Sequence, residues 1–227
     1  MTDRPGEFDL IARYFAPIAG LGGLGLVDDA ALLTPPAGCD LVLTKDMLVA
    51  GVHFFPDDPP DSIARKALRV NLSDLAAKGA EPLGFLLGLG LPKDWREEWL
   101  AAFARGLGED AAAYACPLLG GDTVSSPDRL VLSITALGTV PQGQMVRRSG
   151  GRPGDRLYVS GPIGAAAMGL SLRRPDAPAW RTDMSSATRD QALAAYLVPD
   201  PAMTLASALR AHARATMDVS DGLIGDA

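Results

Sequence analysis

A two-domain α/β (α+β) chain is predicted by three features of the sequence. Short apolar, β-like runs stand among longer segments whose apolar residues recur at helical spacing. A polar, glycine-rich stretch over residues 141–154 interrupts this pattern and places a boundary near Val140, so that residues 1–140 and 141–227 form separate domains. Five aspartate-bearing segments punctuate the pattern: Val27-Asp28-Asp29-Ala30-Ala31, Thr44-Lys45-Asp46, Asn71-Leu72-Ser73-Asp74, Gly120-Gly121-Asp122-Thr123 and Asp218-Val219-Ser220-Asp221-Gly222.

Residues 6–15 read as a short helix, followed by a glycine-rich turn over 20–25. Leu41-Val42-Leu43-Thr44 is β-like, and Thr44-Lys45-Asp46 ends that strand. Alternation puts Thr44 and Asp46 on one face and Lys45 on the other, free to pair with a carboxylate elsewhere. A proline-rich loop covers 56–60, and Asp61 then caps a long helix running towards Gly79. Ile63, Ala67, Leu68, Leu72, Leu75 and Ala76 form its apolar face, while Asn71, Asp74 and Lys78 share another. Residues 84–91 are a buried strand. Residues 94–116 are an amphipathic helix whose Trp95, Trp99, Phe103 and Leu107 recur every four residues as core packing. Residues 130–137 are a further strand. The second domain opens with a strand over 154–160, a turn over 161–164 and a helix from Ala165 towards Leu172. A Pro- and Arg-rich loop over 173–186 leads to a helical segment broken at Pro199 and Pro201. The last strand is Met217-Asp218-Val219, after which Ser220 can cap a helix with Asp221 in its first turn.

The chain has 227 residues, 48% hydrophobic and 21% charged, enough to bury a sizeable core. A net charge of -6 argues against nucleic acid or an anionic membrane as the main partner. It suits an acidic, metal-loaded site, and it equally suits plain solubility. Cys39 and Cys116 form no CxxC pattern and read as free thiols of a reducing compartment. Met1-Thr2-Asp3-Arg4-Pro5 lacks the apolar core of a secretory leader, and no apolar run reaches the roughly 18–20 residues of a membrane span. A soluble, cytoplasmic protein is expected.

The aspartate segments offer hard oxygen ligands without the Cys and His that zinc favours. Gathered in one cleft, they suit several Mg²⁺ ions, which bridge carboxylates to phosphate oxygens; that points to phosphoryl transfer or ATP-dependent chemistry. Each segment also has a plainer role. Asp46 suits a turn cap, Asp74 a solvated helix face, Gly121-Asp122 a tight turn, and Asp218 with Asp221 a helix start. His53 suits phosphate contact or a structural role. Arg147-Arg148 suits a phosphate clamp or a solvated linker. Gly20-Leu21-Gly22-Gly23-Leu24-Gly25 matches G-x-G-x-x-G, but a helix precedes it instead of a strand, so it is not read as a dinucleotide fingerprint. P-loop and protein-kinase motifs are lacking.

Taken together, the segments resemble the thiamine-monophosphate kinases, of the superfamily that includes aminoimidazole ribonucleotide synthetase and selenophosphate synthetase. The likeness runs from Gly6 to Ala227. Its carrying strings are Gly6-Glu7-Phe8-Asp9-Leu10-Ile11, Asp28-Asp29-Ala30-Ala31-Leu32-Leu33, Asp46-Met47-Leu48-Val49-Ala50-Gly51-Val52-His53-Phe54, Asn71-Leu72-Ser73-Asp74-Leu75-Ala76-Ala77, Gly120-Gly121-Asp122-Thr123, Arg148-Ser149-Gly150 and Asp218-Val219-Ser220-Asp221-Gly222-Leu223. The resemblance implies an aminoimidazole ribonucleotide synthetase-like fold, whose N-terminal domains pair into a dimeric β-barrel with ATP in the cleft between domains. It implies ATP-dependent phosphorylation of thiamine monophosphate to thiamine diphosphate, direct and in line, with no covalent nucleophile. By motif, Asp29, Thr44, Asp46, Asp74, Asp122, Asp218 and Asp221 bind Mg²⁺. Tyr114, Gly121, Asp122, Arg148 and Ser220 contact ATP, and His53 faces the thiamine phosphate.

Three departures stand out. Val27 replaces the usual glycine before Asp28-Asp29, and Lys45 replaces a small polar residue. The chain also stops at Ala227, before the family's Gly-Gly-Glu-Asp-Tyr-Glu segment, so an incomplete C-terminal domain is expected. Two alternatives follow. One is another ATP-using member of the superfamily, although no reactive Cys precedes the glycine-rich turn as the selenium enzyme requires. The other is a Mg-nucleotide-binding or dimerisation module without turnover.

Overall fold

Alternation along Cys39–Val49 sends Val42 and Leu48 inwards and Leu41, Leu43 and Met47 outwards, and this segment is the first strand of a four-stranded sheet. The computed structural model describes residues 5–176 and 179–226. The reading of Met1 to Arg4 as a start without a leader therefore lies outside the described residues, as does Ala227. In chain order the elements are α1 (Glu7–Leu10), which continues through a π-helical turn, then β1 (Cys39–Val49), α2 (Pro60–Ala77), β2 (Glu81–Pro92), α3 (Glu97–Ala113), β3 (Leu118–Ser126), β4 (Val131–Pro141), α4 (Ala165–Arg173), α5 (Ser186–Leu197), α6 (Ala206–His212) and α7 (Leu223–Asp226).

The sheet order is β1-β4-β2-β3. β4 runs antiparallel to both β1 and β2, and α3 is the crossover that makes β2 and β3 parallel. The result is a mixed α/β sheet, not closed into a barrel. One face carries the core, where Phe85, Leu89, Leu132 and Ile134 meet Ile63, Leu68, Leu72 and Leu75 of α2 and Leu100, Phe103 and Leu107 of α3. Trp99 stacks on Phe103 at 5.2 Å between centroids, so the aromatic stripe of α3 is packing, as its spacing predicts. The opposite face carries exposed apolar side chains: Leu43 is 62% exposed and Met47 55%. Among the described residues, no helix is long and apolar enough to cross a membrane.

The C-terminal segment docks on α2. Asp58, just before that helix, is buried and accepts from the Tyr196 hydroxyl at 2.9 Å, Arg173 Nε at 3.1 Å and the Phe55 N–H at 2.9 Å. This cluster fastens α4 and α5 to the start of α2. Gly22 and Gly23 of the glycine-rich turn lie against backbone. An added Cβ would fall 2.6 Å from Leu32 O and 2.9 Å from Leu119 O, so these two glycines permit close packing.

Several expectations are corrected. β4 pairs with β1 along its whole length, so Asp46 lies inside the strand and does not end it. Pro59, not Asp61, is the N-cap of α2; Asp61 sits in the first turn, where its charge suits the helix dipole. Residues 154–160 and Met217-Asp218-Val219 are not strands. Their apolar pattern is real, but a strand also needs a neighbour to take its backbone hydrogen bonds, and among the described residues none lies alongside. Ser220 does not cap α7. Instead the backbone N–H groups of Ser220, Asp221 and Gly222 all donate to the Asp226 carboxylate, four to six residues on.

Candidate functional site

The strand period turns Thr44 and Asp46 of β1 towards the helix-covered face, where the polar stripe of α2 presents Asp74. Thr44 Oγ1 donates to Asp74 Oδ2. Asp218 joins them from the C-terminal segment. Asp46 and Asp218 are partly buried, and both carboxyls are held above their ordinary range, first by loss of solvation and next by the charge of Asp74. Asp218 also raises Asp46 directly. Three carboxylates remote in sequence thus share one electrostatic neighbourhood.

Positive groups border it. Lys78, one turn beyond Asp74, donates from Nζ to Thr216 O at 2.9 Å and feels both Asp218 and Asp74; burial nevertheless lowers its pKa. Arg148 reaches Met217 Sδ at 3.7 Å and Asp226 Oδ1 at 3.7 Å, and the Thr216 N–H donates to Arg147 O at 3.1 Å. These bonds bring the Arg147-Arg148 loop alongside the Asp218 segment. His53 lies in the turn after β1. Its Nδ1 accepts the Val49 N–H at 3.0 Å, which leaves Nε2 as the ring's outward donor.

Other predicted residues stand apart. Asp29 lies in an exposed bend, its N–H bonded to the Asp28 side chain at 2.8 Å. In register, Asp46, Ile134, Leu87 and Gly121 form one row and Met47, Ser133, Gly88 and Asp122 the next. Asp122 therefore projects from the open face, opposite Asp46, and lines a groove of about 310 Å³ with Ser133 and Val124. Lys45 shares that face, clear of Asp46 as alternation predicts, and donates to a hydroxyl, Ser133 Oγ, at 2.7 Å. Gly121 packs against the Leu87 backbone with no room for a side chain. Tyr114, at the end of α3, lies under the Arg69 guanidinium at 5.2 Å, and Arg69 is itself bonded to buried Asp110. Asp221 is exposed.

Asp46, Asp74 and Asp218 fit a hard divalent cation by chemistry. They are oxygen donors, partly desolvated, whose mutual repulsion a cation would relieve. Among the described residues, however, no three acidic, His or Cys side chains converge closely enough to hold one ion between them. Buried Asn71, on the same stripe, donates from Nδ2 to Ala67 O at 3.0 Å, and its Oδ1 has no partner among the described residues. Sequence reasoning missed Thr216 and Asp226. Neither carries a motif signal, since their roles come from backbone groups that the fold delivers.

Comparison with known proteins agrees with this architecture. Residues 27–140 match the family described as AIR synthase related protein, N-terminal domain. The thiamine-monophosphate kinase of Caulobacter vibrioides is 48% identical over 225 residues, covering 98% of this chain and 61% of that protein. That of Escherichia coli K12 is 43% identical over 225 residues, covering 97% of this chain and 67% of that protein. A solved structure of AaThiL complexed with AMPPCP and TMP is 28% identical, with a TM-score of 0.76, over 100% of this chain and 70% of the other. The chain thus spans about three-fifths of the length of its Caulobacter relative.

Proposed function

We propose that this chain, which belongs to the thiamine-monophosphate kinase family, carries the nucleotide and metal site for ATP-dependent phosphorylation of thiamine monophosphate to thiamine diphosphate. The observation that carries the reading is the shared electrostatic neighbourhood of Asp46, Asp74 and Asp218, drawn from a strand, a helix and a C-terminal loop, with Thr44 bonded to Asp74. A structural relative holding both an ATP analogue and TMP supports it.

Asp46, Asp74 and Asp218, with Thr44 beside them, would hold magnesium, and Asp29, Asp122 and Asp221, which stand apart from them, would serve further ions. Bound magnesium screens the polyphosphate and stabilises charge that develops during transfer. Thr44 fixes the Asp74 carboxylate by its hydrogen bond. Arg148 neutralises phosphate oxygens, Tyr114, Gly121, Asp122 and Ser220 contact ATP, and the Nε2 donor of His53 faces the thiamine phosphate. The acceptor is a phosphate oxygen already ionised near neutral pH. It needs alignment and charge neutralisation more than a base, so transfer is direct and in line, with no covalent intermediate.

The same reading divides the chain near residue 140, makes the protein cytoplasmic, and pairs two open sheet faces into a dimer through Leu41, Leu43 and Met47. A second reading, Mg-nucleotide binding without turnover, is favoured by the separation of Asp29 and Asp122 from the central carboxylates. The test is ADP formation by the purified chain with Mg-ATP, with and without thiamine monophosphate, alongside a product assay for thiamine diphosphate. Thiamine diphosphate supports the kinase. Nucleotide binding without product supports the second reading, and no nucleotide binding sinks both.

A further inference from the structure

The C-terminus of α2 is finished by residues from far along the chain. Thr216 Oγ1 donates to Ala77 O, the Val146 N–H donates to Lys78 O at 3.2 Å, and Arg210 donates to Gly79 O. These are carbonyls that a helix end leaves without intrahelical partners. In return, Lys78 Nζ donates to Thr216 O at 2.9 Å. Thr216 therefore both gives to α2 and receives from it. Asp218 is two residues beyond Thr216, and Asp74 is one helical turn before Lys78. The two bonds join the backbones that carry these carboxylates.

We propose that Thr216, with Lys78, is a positioning residue that sets the spacing of Asp74 and Asp218 for a shared divalent cation. The proposal rests on the metal–nucleotide reading of the site. The two carboxylates repel one another, so an untethered Asp218 segment would swing away from α2. The strap opposes that repulsion in the metal-free chain, and does so through a hydroxyl and an ammonium that need not touch the metal. Groups that orient metal ligands in this way typically control affinity while leaving the ligand set unchanged.

The test is the Mg²⁺ concentration that half-saturates binding of AMPPCP to the intact chain, read by calorimetry, with thermal unfolding measured in parallel. Thr216→Val is expected to raise that concentration about tenfold, and Thr216→Ser, which keeps the hydroxyl, to restore it. A folded Thr216→Val chain with the parent's Mg²⁺ requirement overturns the proposal. Lys78→Met gives a second arm in which the sign decides. Loss of positive charge alone lowers the Mg²⁺ requirement, whereas loss of the strap raises it; a fall overturns the proposal. Asp74→Asn and Asp218→Asn separate the two levels of inference. If neither alters the Mg²⁺ requirement, the metal reading itself fails. If both do and Thr216→Val does not, only the strap fails.

Discussion

The hydroxyl of Thr44 donates to the carboxylate of Asp74, joining the inward face of β1 to the polar stripe of α2. The pair is partly buried and thirty residues apart in the chain. It settles which way Asp74 points before any ligand arrives. Thr44→Val keeps the β-branched shape and removes the donor. The expected result is a loss of about 1–2 kcal/mol in stability, since the acceptor is charged, together with about tenfold weaker Mg-dependent binding of an ATP analogue. Urea unfolding and calorimetry measure the two effects, and parent-like binding would dismiss the role given to Thr44.

Asp46 and Asp218 both titrate above the ordinary 3.8, held there by burial and then by Asp74. A carboxyl whose pKa is raised in the fold favours the fold while protonated. That contribution is full below 3.8 and disappears as the pH climbs through the raised value. Metal-free chain therefore loses stability from these groups as the solution leaves the acid range. Asp218→Asn lacks the titration, so its stability should rise relative to the parent between acid and neutral pH in the presence of a chelator. A pH-independent difference in urea midpoint would count against the coupling.

The Asp58 cluster predicts a different failure. Its buried carboxylate holds Arg173 at 2.9 Å and the Tyr196 hydroxyl at 2.9 Å, with the Lys66 ammonium on the ring face at 3.6 Å and its pKa lowered to about 8 by burial. Asp58→Ala strands these donors and should cost about 3–5 kcal/mol, whereas Tyr196→Phe should cost about 1 kcal/mol. Limited proteolysis of Asp58→Ala should cut between α4 and α5 sooner than in the parent. Equal cleavage rates would mean that other contacts hold the helix pair.

The open sheet face predicts assembly. Leu43 and Met47 are exposed apolar side chains on a face that, among the described residues, no helix covers. Leu43→Lys should convert a dimer to monomer in sedimentation equilibrium while leaving the unfolding midpoint of the monomer nearly unchanged. A parent chain that sediments as a monomer refutes the proposed pairing.

Periodicity located α2, α3 and three of the four strands because burial of one face imposes a spacing that local sequence records. It also showed that Thr44 and Asp46 share a face. It failed at residues 154–160 and at Met217-Asp218-Val219, where an apolar, β-like run has no strand beside it among the described residues. Strand pairing is a property of two segments, and one segment cannot report it. Asp61 was misread for a related reason: an acid at a helix start suits both the cap and the first turn, and Pro59 and Pro60 decided between them.

By itself, the sequence determined the chemistry available: oxygen ligands, a pair of arginines and one histidine after the first strand. Tertiary structure alone decided which of these groups meet. Asp46, Asp74 and Asp218 come within one another's electrostatic reach because β1, α2 and the segment carried by Thr216 pack together, while sheet register turns Asp122 to the other face. Residue type sets what an atom can bind, but distance and desolvation arise only when remote backbones are fixed against one another. That is why a carboxylate ordinary in the sequence becomes a raised, coupled group in the fold.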